Sequence, residues 1–441
     1  MSCQSMLTSM CTSTEKDPSL NKRFINANFK WIVSLAVEIA WLIWALLDPK
    51  EHFGRFIEET PFVGKYYYMS ITMVFGSLVA GATSEGGGVV AFPVMTLALG
   101  VPTIMARDFS FAIQSFGMTC ASIMIWFLEV PLDNEAMIWG SIGGATGLVI
   151  GLEGIAPYLL PVYSKMFFVS LWFAFSVALF RLNTRKERTV YSSAAESDKS
   201  MLEHLCQVID MPAHSGDDSE SERPVVHFKI ISAKRKRIAT LTSIGIFGGI
   251  CSSIAGSGLD MATFSMLTLY YRVSEKIATP TSVVLMAINA VMGTLLRLIP
   301  YGGAYKEGEF DVLWKFVSVC IPVVVIGAPI GAHIPTILNR HQISYLLYFL
   351  STFQFISACA IVKPWSKPAP HGVGTIVASG ITLIGGSLYF CKIADWGESR
   401  DLDIESHTSK DMEENEDLTS ENMHSDTTIG SVPVDIAITV Q

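Results

Sequence analysis

Charge is what this sequence lacks most. Asp, Glu, Lys and Arg make up 16% of its 441 residues, against about 25% in a typical soluble domain. Half the residues are hydrophobic and the mean hydropathy is +0.42. The few charges fall between long apolar runs, which excludes a water-soluble globular protein and implies an integral membrane one. HExxH, GxSxG, paired-aspartate and Walker motifs are also missing, so neither an enzyme nor a self-contained ATP-driven pump is expected. The eight cysteines have no metal-ligand or disulfide spacing. Five of them (Cys120, Cys251, Cys320, Cys359 and Cys391) lie in apolar runs as small packing residues. No metal, cofactor or nucleic-acid partner is expected; the partners are a small anionic substrate and the lipid bilayer, and a homo-oligomer is left open.

The net charge of −9 is unevenly spread. From Ile393 onward there are 13 acidic and 2 basic residues, and the rest of the chain, with 27 acidic and 29 basic residues, is +2. Residues 393–441 therefore read as an acidic disordered tail. Residues 1–28 are polar and lack the apolar core and cleavage site of a signal peptide. The run 29–47 is long enough to span and reads as an uncleaved anchor. Lys22, Arg23 and Lys30 precede it, which puts the N-terminus in the cytoplasm.

Further apolar runs occupy roughly 66–84, 87–100, 104–128, 136–153 and 157–180. After a polar segment they resume at 238–255, 258–271, 277–299, 312–334, 342–362 and 372–392. The polar segment, 181–237, has basic ends and an acidic, serine-rich middle. It reads as a cytoplasmic loop, largely disordered. The spans imply a multi-pass protein with both termini in the cytoplasm, and of the possible host membranes the plasma membrane is preferred.

An internal repeat brackets the loop. Gly86, Gly88 and Leu97 match Gly256, Gly258 and Leu267 at an offset of 170, and after a two-residue slip Val101, Ala106 and Ser110 match Val273, Ala278 and Ser282. Gly143 and Gly147 then correspond to Gly327 and Gly331, a GxxxG spacing in each half. One span precedes the first repeat and five runs separate it from the cytoplasmic loop. The second repeat, 238–362, then starts on the side opposite to the first, 66–180. The expected fold is an all-α polytopic bundle of two inverted repeats with glycine-broken helices, an anchor before them and one helix, 372–392, after them. Inverted repeats with interrupted helices are a pattern of secondary transporters.

The glycine break followed by an apolar run and Pro93, with Ala106 and Ser110 on the next helix, resembles the sulfite exporter TauE/SafE family. The second half carries a similar pattern in Gly256–Gly258, Ala278-Thr279-Pro280-Thr281-Ser282, Asn289-Ala290 and Gly293. The resemblance covers about residues 66–392 without the central loop. It implies a transporter of sulfite, sulfonates or related small organic anions. The chain departs from the pattern in its second break, GSG, in Thr263 where Pro93 predicts proline, and in the carboxylates Glu85 and Asp260. An anion channel or a membrane receptor on the same bundle is the alternative function.

The breaks give the candidate site. Glycines let backbone approach a ligand and open a half-helix whose N–H groups suit an anion. Gly86, Gly87 and Gly88 would form one cradle and Gly256, Ser257 and Gly258 the other, or the glycines only permit tight helix crossing. Glu85 costs about 2.5–3.5 kcal/mol at the centre of a membrane helix. It is a candidate to carry a coupling proton with the anion, or else pairs with Arg107 or caps a helix end. Asp260 is the matching candidate in the second half. Arg107 and Asp108 read as markers of the membrane boundary. Gln114 and Asn289 either donate to a sulfonate oxygen or tie helices together. Ser110 and Ser282, matched across the repeats, are expected to line the site, whereas Glu38 and His333 read as packing or interfacial residues.

Overall fold

The computed structural model describes residues 31–46, 61, 65–83, 85–87, 90–91, 94–159, 161–184, 190–197, 223–298, 309–363, 365 and 371–425. Gly88, Pro93, the N-terminal tail 1–28, the middle of the central loop and residues 426–441 lie outside them. Among the described residues the chain is all-α, with a single isolated bridge between Tyr191 and Val273. Among the described residues eleven α-helices of seven residues or more follow one another: α1 Ile32–Leu46, α2 Tyr67–Ala82, α3 Thr103–Phe127, α4 Asn134–Gly154, α5 Pro161–Thr184, α6 Arg223–Ala255, α7 Leu259–Ser265, α8 Glu275–Leu298, α9 Glu309–Ile337, α10 Arg340–Val362 and α11 His371–Ser425. A π turn, Met266–Tyr270, prolongs α7, and another, Val94–Ala98, precedes α3. The last helix runs past 392 into the acidic segment as far as Ser425.

Eight of these helices are long and apolar enough to cross a membrane. Large apolar side chains stand exposed along them: Trp126, Phe349, Phe353, Ile381 and Leu388 are each more than 60% accessible. On a soluble protein such a surface would aggregate; here it faces acyl chains. Local chemistry sets several helix ends. Asp133 caps α4 by accepting from the Ala136 N–H at 3.0 Å. Asn339 and Gln342 form a capping box at the start of α10. In α9, Pro322, Pro329 and Pro335 are carried inside the helix, tolerated because neighbouring helices surround the freed carbonyls.

Packing follows the small residues. Without a hydrophobic driving force between helices in lipid, backbones approach closely only where side chains are small. The α2 glycine Gly81 sits against the backbone of Ala328, Gly331 and Ala332 on α9. Similarly, Gly143 and Gly147 of α4 sit against Thr242 and Ile246 of α6. A side chain at any of these glycines would overlap the facing backbone. The contacts advance together, Ser70 with Val319 and then Gly81 with Ala332, so α2 and α9 run parallel. By the same test α4 and α6 run parallel, Gly143 meeting Thr242 and Gly151 meeting Ser253. The two long helices α3 and α8 run antiparallel, since Asp108 meets Arg297 and, in the linker after α3, Asp133 meets Thr281. The opening helix of each half thus packs on a helix of the other half.

Candidate functional site

The chain doubles back at both glycine breaks. After α6, Gly256 takes a left-handed conformation, φ +84°, and its N–H closes on the Ser252 carbonyl at 2.7 Å. This is the helix stop that glycine permits. The chain returns along α6, with Leu259 and Ala262 against Gly248. In the first half the helix stop comes earlier, the Thr83 N–H closing on the Val79 carbonyl at 2.9 Å; Gly86 follows in a left-handed conformation, φ +73°, and Val90 returns against Gly76. Both glycine-led segments thus fold back along the helix that precedes them.

Each break meets the long helix of the other half. A side chain at Gly86 would strike the Met286 sulfur of α8 at 2.7 Å and reach within 3.1 Å of the Asp260 Oδ2. One at Gly256 would strike the Ser110 Cβ of α3 at 2.6 Å. Gly87 differs from the expectation that it faces a ligand. Its missing side chain would point back to Met73, Gly76 and Ala80 of its own half.

Glu85 and Asp260 are both fully enclosed, at 0% and 1% exposure. Each has one oxygen held and one left over. Ser351 of α10 donates its hydroxyl to the Glu85 Oε1, and the Gly258 N–H donates to the Asp260 Oδ1 at 2.8 Å. Glu85 Oε2 and Asp260 Oδ2 accept from no described group. The expected alternative pairing of Glu85 with Arg107 is absent. The Arg107 guanidinium bonds Asp108 at 2.9 Å and the Ser253 carbonyl at 3.1 Å. That carbonyl lies in the last turn of α6, where a cation suits the helix C-terminus. Asp108 also holds Arg297, Nη2 at 2.8 Å. The pair read as a boundary marker is thus a buried Arg–Asp–Arg triad joining α3, α6 and α8.

The two cradles differ in occupancy. At the second, Asp260 takes the Gly258 N–H and Ser252 Oγ takes the Leu259 N–H at 3.0 Å, so the chain supplies its own anion there. At the first, no described group accepts from the N–H of Gly86 or Gly87. Around these breaks Ser110 accepts from Gln114 Nε2 at 2.7 Å, and Ser282 donates to the Thr279 carbonyl. Four further buried oxygens have no partner among the described residues: Gln114 Oε1, Asn289 Oδ1, Ser257 Oγ and Thr263 Oγ1. In the antiparallel register set by Asp108–Arg297 and Phe111–Gly293, Gln114 and Asn289 come level on α3 and α8. Buried polar groups are rarely left unpaired, so this layer has capacity for a polar ligand: the two hydroxyls can donate to it, whereas the two amide oxygens can only accept. Glu38 and His333 lie away from it, on α1 and on an exposed turn of α9.

Ser351 went unnoticed in the sequence because its run, 342–362, carries no glycine break. A signal was nevertheless present. Ser344, Ser351 and Gln354, spaced to share one helix face, are all buried.

No curated protein and no solved structure matches this chain. Residues 68–358, however, match the family described as sulfite exporter TauE/SafE. That span takes in both breaks, both GxxxG crossings and Ser351. The chain therefore belongs to the sulfite exporter TauE/SafE family of membrane transporters.

Proposed function

We propose that the protein is a secondary transporter of sulfite, sulfonate or related small anions, working by alternating access between two inverted halves around the glycine breaks. The parallel α2–α9 and α4–α6 packings and the antiparallel α3–α8 crossing are the relations that two halves of opposite orientation produce. The substrate anion binds at the first break, on the open N–H groups of Gly86 and Gly87, with Gln114 and Asn289 as further donors. Ser110, Ser257 and Ser282 complete the layer.

The observation that carries this reading is the juxtaposition of Gly86 with Asp260 Oδ2, beside Glu85. An anion cannot enter next to two ionised carboxylates. It can enter when a carboxyl carries a proton and donates its O–H. We assign this proton to Glu85, with Asp260 as the second acid, so that one proton moves with the anion and a pH difference drives transport. Flux of labelled sulfite, alkanesulfonates and carboxylates into vesicles holding the purified protein tests the function. Saturable sulfite or sulfonate flux that follows an imposed pH difference is expected. Flux of none of the three classes overturns it, and flux through a path that never saturates favours a channel.

A further inference from the structure

The central polar loop contains a short segment that is not loose. Of residues 190–197, Tyr191, Ala194 and Ser197 are buried, at 9%, 0% and 3% exposure. The segment is fixed at two places. Tyr191 forms the only bridge between extended residues among the described ones, its N–H donating to the Arg272 carbonyl at 3.1 Å and its carbonyl accepting from the Ser274 N–H at 3.0 Å. Three residues on, the Ala194 N–H donates to the Asp133 Oδ2 at 2.7 Å.

Both anchor points belong to the transporter body. Residues 272–274 join the re-entrant α7 and its π turn to α8, and Arg272 makes the bend with φ +55°. Asp133 is a hub: its other oxygen caps α4, and its N–H donates to Thr281 of α8 at 3.1 Å. The segment therefore ties the start of α4, in the first half, to the entry of α8 in the second. Its own turn is closed by Ser193 and Glu196, the Ser193 hydroxyl accepting from the Glu196 N–H at 3.0 Å. Ser192 bonds the Glu196 carboxylate by both its N–H and its hydroxyl.

We propose that residues 190–197 are an intramolecular latch, and that the surface formed by Asp133 and residues 272–274 is its docking site. While docked, the segment holds together the ends of α4 and α8 on the loop side of the membrane, and with them the end of α7, whose other end carries the second break. The site can open to that side only when the segment lets go. This inference rests on the transporter reading, but its first readout does not depend on any substrate.

The test is a reversible crosslink. Tyr191→Cys and Val273→Cys are introduced together, with each single substitution as control, and disulfide formation is followed by mass spectrometry. Native Cys251, packed against Gly258 at the second break, reports access: its modification by a small thiol reagent is counted peptide by peptide. With the latch locked, Cys251 modification and sulfite flux should both fall at least tenfold relative to the same variant reduced and return on reduction, while the single variants show no dependence on oxidation or reduction. Ala194→Pro removes the N–H that reaches Asp133 and places its ring at a fully buried position, and should speed Cys251 modification. A crosslinked protein whose Cys251 reacts as fast as in the reduced form overturns the latch. A Cys251 rate that follows the crosslink without sulfite flux in any form keeps the latch and removes the sulfite reading.

Discussion

Ser351 donates its hydroxyl hydrogen bond to the Glu85 carboxyl from 266 positions along the chain. The bond joins the first glycine break to a helix of the second half, and both residues are enclosed. A buried acceptor that loses its donor costs about 1–3 kcal/mol. Ser351→Ala should therefore lower stability in detergent by about that amount, and Ser351→Thr by less than half of it. Because the partners touch, the double variant Ser351→Ala/Glu85→Leu should be less destabilised than the sum of the singles. Additive losses in thermal or denaturant unfolding would show that the bond contributes nothing.

Glu85→Gln keeps the shape of the side chain and fixes it as a neutral group. Substrate binding and substrate exchange across the membrane need no net proton movement and should persist. Accumulation driven only by a pH difference should be lost. The comparison is made in one vesicle preparation, wild type beside variant, and pH-driven accumulation at the wild-type rate rules out the proton role.

The glycines of the two breaks are not equivalent under substitution. Gly86 and Gly256 combine a positive φ with a neighbour closer than 3 Å to any added side chain. Alanine there meets left-handed strain of about 1–2 kcal/mol together with overpacking of about 1–3 kcal/mol. At Gly87 the same change meets ordinary contacts at 3.5–3.6 Å. Gly86→Ala and Gly256→Ala should reduce both stability and flux, and Gly87→Ala should leave stability within about 0.5 kcal/mol. Equal effects at all three positions would contradict the geometry.

Asp108 is shared between two arginines that are each less than 12% exposed at the side chain. Removing one partner of a buried ion pair costs about 3–5 kcal/mol because a charge is left uncompensated. Asp108→Asn should therefore be strongly destabilising. Asp108→Asn combined with Arg297→Gln should recover at least half of the loss, measured by unfolding in detergent. No recovery would place the cost elsewhere than in the triad.

Much of this architecture is written locally, and so could be read from the residues alone. The scarcity of charge identifies the lipid solvent, and run length gives the spans: the apolar run 104–128 became α3, Thr103–Phe127, and the run 342–362 became α10, Arg340–Val362. Each end is a matter of a few neighbouring residues, such as the capping box at Asn339. The breaks were legible because a glycine triplet in an apolar run has few other uses, and the family likeness because its motifs are short and contiguous.

What the sequence could not decide is which groups meet across the bundle. Adjacent residues sent Arg107 to Asp108, yet whether it also reached Glu85 depended on how α3 crosses α6 and α8. Gly86 and Gly87 are neighbours of identical chemistry, but the sharp turn aims one at Asp260 and the other back at α2. Asp260 occupies its own half-helix, a fact set by two torsions at Gly258. Ser351 reaches Glu85, and residues 190–197 dock on Asp133, only because helices far apart in sequence pack side by side. Contacts of this kind arise from backbone approach at small residues and from the direction of each crossing, which one-dimensional spacing does not contain.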